Sequence, residues 1–459
     1  MAILGLINAE SFFNERFKNV RRSVFYFYPN GAAPLTGLIS MLKEEVTNDP
    51  EFDWYEKRLP EQKLATATVS GSSNIPWYAT GITIVSGVMT AATVAAGNVT
   101  FTSDTQYGVS LAADPSNFFR IGHLIRLRLY VSAGIYVDLI GRVNAINNAQ
   151  AGIASALGFI AINTTAAITY NATQNMGIDC LVVGSAFAEG SVDISSGIYN
   201  LPTHLNNLTQ IFRAPFQLTG TALKTAAKYD ETGPYKDQAK ETSVNHMIEM
   251  EKNFIFGQQK LSAVGGVETR TTGGIMWFLQ QWEAGTTYNN SAATLDTDDN
   301  KRIITNINGV LTDKLYNTYL ERVFRVTNNK SNEKLVLCGS GFLNVINQLY
   351  MSRACLDASM PMTETYGMNV VKHQTPFGVI YYKSHPLMSQ NVTLRNNALF
   401  LDIQNIVYRY MDGRDTALLK NRQQNDADYR KDEWLTECGL EVRFPESHMY
   451  LQNCLDFAN

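Results

Sequence analysis

The chain has 459 residues and a net charge of −4, with 45% hydrophobic and only 17% charged residues. Its length allows two or three ordinary domains, and its slightly acidic balance excludes a dedicated nucleic-acid binder, which would carry a basic excess. The charged fraction is well below the usual quarter, so we expect surface to be buried against other subunits, because the cores of protein interfaces are depleted in charge.

Two helical patterns lie within the first 62 residues. Phe12–Arg22 contains a basic cluster, and Leu35–Glu45 has the pattern of a short amphipathic helix that follows Pro34. The basic cluster fits a solvated or subunit-bridging helix face, and it also fits a contact with DNA.

Residues 65–202 form a stretch of distinct composition. It contains ten charged residues, and no lysine occurs between Lys63 and Lys224. In Leu124–Tyr130 every second side chain falls on the same face, which is typical of a half-buried strand. Several such runs, separated by small and turn-forming residues, predict an inserted antiparallel barrel or sandwich. The runs are Asn98–Ser103, Arg120–Tyr130, Ile135–Ile146 and Leu157–Ile162.

A long helix is predicted from Tyr235 to Gln259, because apolar residues recur near helical spacing and Pro234 stands where a first-turn proline is tolerated. The pattern then becomes α/β, beginning with a mostly helical Lys301–Thr327. The remaining predicted elements are a strand at Glu333–Cys338, a helix at Phe342–Cys355, strands at Asn369–His373, Val379–Lys383 and Ala398–Asp402, and mixed strands and turns from Ile406 to a last strand at Gly439–Phe444. The fold class is therefore α+β.

Sequence motifs for catalysis, metal binding or cofactor binding are weak in this chain. Gly339-Ser340-Gly341 between a strand and a helix invites a hydrolase interpretation, but the first glycine of a nucleophile elbow is missing and no lysine follows for a phosphate loop. Six scattered histidines and five cysteines show no metal-ligand spacing. No basic signal-peptide region and no uncharged run of membrane-spanning character occur. We expect no cofactor, no metal, no membrane contact and reduced thiols.

Four groups of residues follow one another along the chain in an order that can be compared with known protein families. They are Pro34 to Glu56; Phe119–Gly122 with Ile125, Arg126 and Ile135–Val143; Glu189–Ser191 with Asn206–Phe212, Leu218–Thr221 and the long helix; and Thr269–Ile275 with Gly367 and Thr375–Gly378. The series resembles the major capsid proteins of tailed bacteriophages with the Hong Kong 97-type fold, particularly a subgroup with a β-rich insertion in the extended loop. His123 departs from that pattern, because an acidic residue is commoner there.

The resemblance implies a domain organisation. An N-terminal arm would comprise residues 1–62, and the long helix would be the spine of a peripheral domain formed by residues 223–300 and 388–459. Residues 301–387 would form the axial domain. Residues 63–84 and 186–222 would form an extended loop that carries the inserted β domain, residues 85–185.

The resemblance also implies a function. Copies would assemble into the pentamers and hexamers of an icosahedral head that encloses double-stranded DNA, with the chain in the virion after assembly in the host cytoplasm. Partners would be the chain itself, the portal protein, and scaffolding and decoration proteins, with non-specific proximity to the packaged DNA. The expected subunit-interface residues are Trp54, Tyr55, Arg58, Thr209, Gln210, Ile211 and Phe212.

Two further expectations concern processing. The arm-like sequence starts almost at Met1, so a separate scaffolding protein, or none, is expected in place of a cleaved scaffolding segment. Some relatives crosslink through a lysine on the extended loop, and the absence of lysine from residues 64–223 predicts no such crosslink.

Two alternatives remain open. The chain could be another virion protein from a tail, fibre or decoration, although those are β-rich throughout. The other alternative is the hydrolase built on Gly339–Gly341, which would need a base and an acid that no residue spacing indicates.

Overall fold

A computed structural model describes the greater part of the chain. The described residues are 35, 44–58, 63–65, 78–80, 83–85, 88–90, 98–99, 102–111, 115–132, 135–147, 155–164, 168–169, 179–190, 198, 201–225, 233–264, 266–284, 301–305, 309–326, 332–351, 362–365 and 368–455. The chain divides into two compact units. The first comprises Met1–Asp53, Asn206–Gln280 and Arg302–Asn459, and the second comprises Trp54–Leu205 and Gln281–Lys301.

Strands dominate the described residues. They are β1 Glu44–Thr47, β2 Glu51–Glu56, β3 Lys63–Ala65, β4 Tyr78–Thr80, β5 Thr83–Val85, β6 Val88–Thr90, β7 Asn98–Val99, β8 Gln106–Ser110, β9 His123–Ser132, β10 Ile135–Asn147, β11 Ala156–Ala161, β12 Ile168–Thr169, β13 Asp179–Ser185, β14 Thr203–Leu208, β15 Gln210–Thr219, β16 Lys260–Val264, β17 Val267–Thr271, β18 Ile303–Thr305, β19 Glu333–Cys338, β20 Met362–Thr365, β21 Met368–Gln374, β22 Val379–Ser384, β23 Ala398–Leu401, β24 Ile406–Met411, β25 Ala417–Leu419, β26 Tyr429–Val442 and β27 Met449–Gln452. The helices are α1 Gly220–Lys224, α2 Pro234–Phe256, α3 Ile275–Ala284, α4 Asp313–Arg325, α5 Ser340–Met351 and α6 Pro386–Gln390.

The second unit is built on an antiparallel sheet of seven strands, ordered β3-β13-β9-β10-β11-β8-β4. Alternate side chains of its central strands form one buried core, which includes Ile125, Leu127, Leu139 and Phe159. The period-two pattern of the sequence produces this arrangement, because successive side chains of a strand point to opposite faces.

Gly141 of β10 shows how tightly this core is packed. A Cβ atom at that position would lie 2.3 Å from Cδ2 of the Phe159 ring on the neighbouring strand. The ring therefore occupies the space that any other residue would need, so β10 requires glycine where it passes Phe159.

The first unit contains a five-stranded sheet and the long helix α2. The strand order is β1-β24-β26-β15, and β25 also pairs with β26. Helix α2 begins at Pro234, directly after Gly233, whose φ of +89° favours glycine. Its buried residues His246, Met250 and Phe254 recur every fourth position and so form one stripe that faces the sheet.

A mixed sheet of seven strands, ordered β18-β27-β23-β19-β22-β21-β20, completes the first unit. Helices α4 and α5 bury Tyr316, Leu320, Phe342 and Ile346 in a core with the sheet. Lys334 is buried beside Asp402, with 3.1 Å between Nζ and Oδ2, and desolvation by burial lowers its pKa although Asp402 acts in the opposite direction.

One buried carboxylate ties three parts of the first unit together. Glu251 of α2 accepts a hydrogen bond from the backbone N–H of Leu35 over 3.0 Å. The same oxygen lies 2.8 Å from Nε2 of His385, the residue before α6. Since Glu251, Leu35 and His385 are fully buried, this contact fixes Leu35 and the C-terminal end of strand β22 to the long helix.

The α+β class is confirmed, and so are the long helix, the α/β pattern of residues 333–401 and strands within the runs Arg120–Tyr130, Ile135–Ile146 and Leu157–Ile162. Of the predicted run Asn98–Ser103, Asn98–Val99 is a strand, whereas Thr102 and Ser103 are not. Three details were wrong. Glu44 and Glu45 belong to strand β1 and not to a helix, and Ile303–Thr305 is a strand within the predicted helical segment 301–327. Gly439–Phe444 is not the last strand, because Gly439–Val442 ends the 14-residue strand Tyr429–Val442 and the strand Met449–Gln452 follows. Phe12–Arg22 and most of Leu35–Glu45 lie outside the described residues.

The domain boundaries expected from the sequence remain predictions.

Among the described residues, no helix is both long and apolar enough to cross a membrane.

Candidate assembly interface

Trp54, Tyr55 and Arg58 lie on or just after strand β2, and their side chains differ in exposure. The indole of Trp54 is buried and donates a hydrogen bond to Oε1 of Glu56 over 3.1 Å. Arg58 pairs with the other oxygen of Glu56 at 2.9 Å and lies over the ring of Trp282. Tyr55 is 69% exposed, so it alone of the three presents most of its side chain to solvent.

The Thr209–Phe212 run divides in the same way. Thr209 is fully buried and donates to Glu437 over 3.2 Å, and the amide oxygen of Gln210 accepts from the Thr272 backbone N–H. Phe212 packs edge-on against Phe254 of the long helix. Ile211 points the other way and is 44% exposed, as the alternation of a strand requires.

The seven predicted residues therefore fall into two groups, each within its own compact unit. Within those groups, Tyr55 and Ile211 carry the exposed side chains, and Trp54, Thr209 and Phe212 belong to the interior.

Ile211 lies on the face of the five-stranded sheet that is turned away from the long helix, and this face carries a row of buried carboxylates. Glu433, Glu437 and Glu441 recur every fourth residue along β26, so they share one face of the strand. Each is almost completely buried, and each is paired with two arginines. The pairs are Glu433 with Arg213 and Arg422, Glu437 with Arg270 and Arg414, and Glu441 with Arg409 and Arg443.

The arginines that pair with Glu433 favour its ionised form. Burial alone would raise the pKa of Glu433, but the hydrogen bond from Arg213 at 2.5 Å and the charges of Arg213 and Arg422 outweigh it, so its pKa lies below the ordinary value. Because a buried charge is tolerated only with partners, the pairs hold together segments that are distant in sequence.

The outer parts of these arginines remain accessible. The side chains of Arg213, Arg414 and Arg422 are 56%, 44% and 53% exposed. They border a cleft of about 520 Å³ to which Ile211 and Leu435 contribute apolar surface. We call this surface, formed by Ile211, Arg213, Arg414, Arg422 and Leu435, the arginine cleft. Arginine beside apolar side chains is the composition favoured in protein interfaces.

The opposite face of β26 is occupied by the long helix. Trp434 donates its indole N–H to the carbonyl of Ala239 over 3.1 Å, and the Thr436 hydroxyl lies 2.8 Å from His246 Nε2. Asp432 accepts from Tyr235 and Arg430, and those hydrogen bonds lower its pKa although burial opposes them. That face is therefore interior, and the arginine cleft is the accessible side of the sheet.

Sequence reasoning did not find these arginines. The spacing of the three glutamates was a usable signal, since every fourth residue of a strand lies on one face. Their partners come from β15, β17, β24 and connecting segments, and no local pattern joins such distant positions. Among the described residues, no group of His, Cys, Asp and Glu could hold a metal ion.

The model of one protein family, described as SU10 major capsid protein, matches residues 8–454. The chain belongs to this family. Membership confirms the resemblance to phage major capsid proteins.

Individual relatives of this capsid-protein chain are distant. A major capsid protein of Pseudomonas phage PaMx41 is 25% identical over 242 residues, a match that covers 52% of this chain and 53% of that protein. The chain thus spans about half the length of that relative. Among solved structures, the capsid of an empty GTA particle has a TM-score of 0.39 at 12% identity, and the match covers 59% of this chain and 81% of the GTA chain. The capsid of cyanophage A-1(L) has a TM-score of 0.37 at 14% identity, and the match covers 58% of this chain and 85% of the cyanophage chain.

Proposed function

We propose that this major capsid protein assembles into the pentamers and hexamers of an icosahedral phage head around double-stranded DNA, and that it has no catalytic activity. The observation that carries the proposal is the family match over residues 8–454. The low charge of the chain and the exposed arginine cleft support it, because both suit a protein that buries its surface against copies of itself.

The seven sequence-predicted residues stay the proposed contact region, with a division of roles. Tyr55 and Ile211 would touch the neighbouring subunit directly, because their side chains are exposed. Trp54, Arg58, Thr209, Gln210 and Phe212 would hold the two strands in place. A substitution of Trp54 or Phe212 therefore tests folding, whereas one of Tyr55 or Ile211 tests assembly.

The first experiment is expression of the full chain alone, with negative-stain microscopy of the product. We expect closed shells or capsomers. A compact monomer under all assembly conditions, together with absence of the chain from virions, would refute the capsid function.

The second experiment uses Tyr55→Glu and Ile211→Glu. We expect both variants to unfold at the wild-type temperature and to form no particles, because each places a charge in a contact that excludes water. Val392→Glu is the matched control, since Val392 is a 76% exposed aliphatic residue of the first unit, and it should leave particles intact. Normal shells from both test variants would remove these positions from the interface.

The partner proposals extend beyond the chain itself. We propose assembly in the host cytoplasm, a portal protein at one vertex, scaffolding and decoration proteins as further partners, and non-specific proximity to packaged DNA. Copurification from infected cells tests the protein partners, and an unassembled pool outside the host cytoplasm would contradict the place of assembly.

The hydrolase alternative rests on the turn at Gly339–Gly341. Steric packing alone explains why one residue of this turn, Gly339, is a glycine. A Cβ atom on Gly339 would lie 2.2 Å from the carbonyl oxygen of Arg395, so a small residue is needed there for steric reasons. We expect Ser340→Ala to assemble normally, with no hydrolysis of ester substrates by either form. Ester hydrolysis that Ser340→Ala abolishes would reverse this conclusion.

A further inference from the structure

The β-rich second unit has a second accessible surface, on the side of β9 and β10 opposite its core. Register places Arg126 between Ile140 of β10 and Leu181 of β13, and it places Arg142 between Leu124 and Ile160. Because alternate residues share a face, Arg128, Tyr136 and Asp138 lie on the same side. We call this surface the outer face and define it by Arg126, Arg128, Arg142, Tyr136, Ile162 and Leu181.

Large apolar side chains on the outer face are open to solvent. Tyr136 is 52% exposed, Ile162 51% and Leu181 40%. The guanidinium of Arg128 lies 5.4 Å from the centre of the Tyr136 ring. Tyrosine, arginine and aliphatic residues without lysine or glutamate form the composition that interface cores favour over ordinary surface.

The charge of the outer face is unbalanced. Its carboxylate is Asp138, which lies 2.7 Å from Arg126 and 4.0 Å from Arg128. Arg142 is half-buried between aliphatic neighbours, and no described residue supplies it with a carboxylate. A partner that offers both carboxylates and apolar surface would complete the face, since a partly desolvated guanidinium gains most from an ionic acceptor.

Residues 65–202 also contain exposed carboxylates that are not part of the outer face. This stretch has four arginines and six acidic residues, and three of the arginines lie on the outer face. Asp104 and Glu189 are exposed and stand at turns before β8 and after β13. Each copy therefore carries a basic sheet face together with acidic turns, two surfaces of complementary charge that suit a head-to-tail contact between identical chains.

We propose that the outer face of one copy binds the Asp104 and Glu189 turns of the next copy, as a contact between β-rich units that adds to the contacts of the first unit. The inference rests on the proposed shell function, because the shell brings identical units side by side. It assigns a partner to three arginines that the arginine cleft does not include.

The test uses shells of the full chain and begins with accessibility. In Tyr136→Cys the described native cysteines are buried, so maleimide reports mainly on the introduced thiol, with the unsubstituted chain as the blank. We expect labelling of dissociated subunits and strong protection in intact shells. Equal labelling in both states overturns the proposal and leaves the face to another virion protein. If the unsubstituted chain forms no shells, it is the shell function that fails.

Charge exchange supplies the second part of the test. Shells of Arg126→Glu/Arg128→Glu should form but dissociate several degrees below wild-type shells, and so should shells of Asp104→Lys/Glu189→Lys. Shells that combine all four substitutions should regain stability, while unfolding of the free subunits serves as the measure of folding. Unchanged dissociation of both reversals, or no recovery in the combined variant, overturns the contact.

Discussion

His448 is a buried histidine that the fold holds in its neutral form. Its Nδ1 accepts a hydrogen bond from the Asp402 backbone N–H over 3.0 Å, which a protonated ring could not do. Desolvation lowers its pKa to about 4, although the charge of Asp402 opposes the shift. The folded subunit therefore resists protonation at this site far more than the unfolded chain does.

We predict that His448 makes the subunit sensitive to mild acid. The folded pKa is below the unfolded value, so the stabilisation is complete above the unfolded pKa and is lost as pH falls towards 4. Between pH 7 and pH 4.5 the free energy of unfolding should fall by about 2–3 kcal/mol from this residue. Urea unfolding of His448→Gln should lack that component.

The exposed His204 provides the control for this measurement. His204→Gln makes the same substitution at an exposed position and is measured alongside. An unchanged pH profile in His448→Gln would show that the ring is not held neutral.

The carboxylate row on β26 leads to a second prediction at this scale. Glu437→Gln removes the charge between Arg270 and Arg414, so two guanidinium groups lose their shared acceptor. The subunit should lose about 1–3 kcal/mol of stability in urea unfolding. Glu268→Gln alters an exposed carboxylate that also borders the cleft and should change stability little; an equal loss there would contradict the proposed role of burial.

At the scale of elements, β10 depends on a glycine. Gly141→Ala should destabilise the second unit by about 1–3 kcal/mol, because the added methyl group would meet the Phe159 ring. Gly184→Ala in β13 of the same sheet is the matched control, since nothing lies within 4 Å of its Cβ position. Thermal unfolding of both variants checks this, and an equal response would mean that the ring moves aside freely.

The elements that sequence predicted well are those with a regular internal pattern. Strand β9 alternates buried and partly exposed side chains, and α2 repeats its buried stripe every fourth residue, so each could be inferred from its own residues. Strands β1 and β18 could not, because each forms through parallel pairing with a strand distant in sequence, β24 and β27. Local propensity does not contain that information.

The seven expected interface residues came from the resemblance and stay a prediction. Their division into exposed and buried side chains could not be inferred from the sequence, because the inward direction of Trp54 and Phe212 depends on which side the core occupies. The six arginines of the carboxylate row come together only in the folded sheet.

At the scale of the whole molecule, the distribution of lysine yields a prediction for the assembled particle. Residues 64–223 contain no lysine, so that stretch offers no amine for an isopeptide crosslink between subunits. Mature particles boiled in detergent should run as a single band at 51.1 kDa. A ladder of oligomers would show that another lysine forms the link.

The longer of the two segments that form the β-rich unit, Trp54–Leu205, begins and ends on neighbouring strands. The chain passes into it along β2 and returns along β14, and these two strands pair with each other. Because the ends of the excursion are adjacent, its length imposes little geometric demand on the remaining chain. Insertions and deletions between β2 and β14 should therefore impose little strain on the two flanking strands, whatever length of chain lies between them.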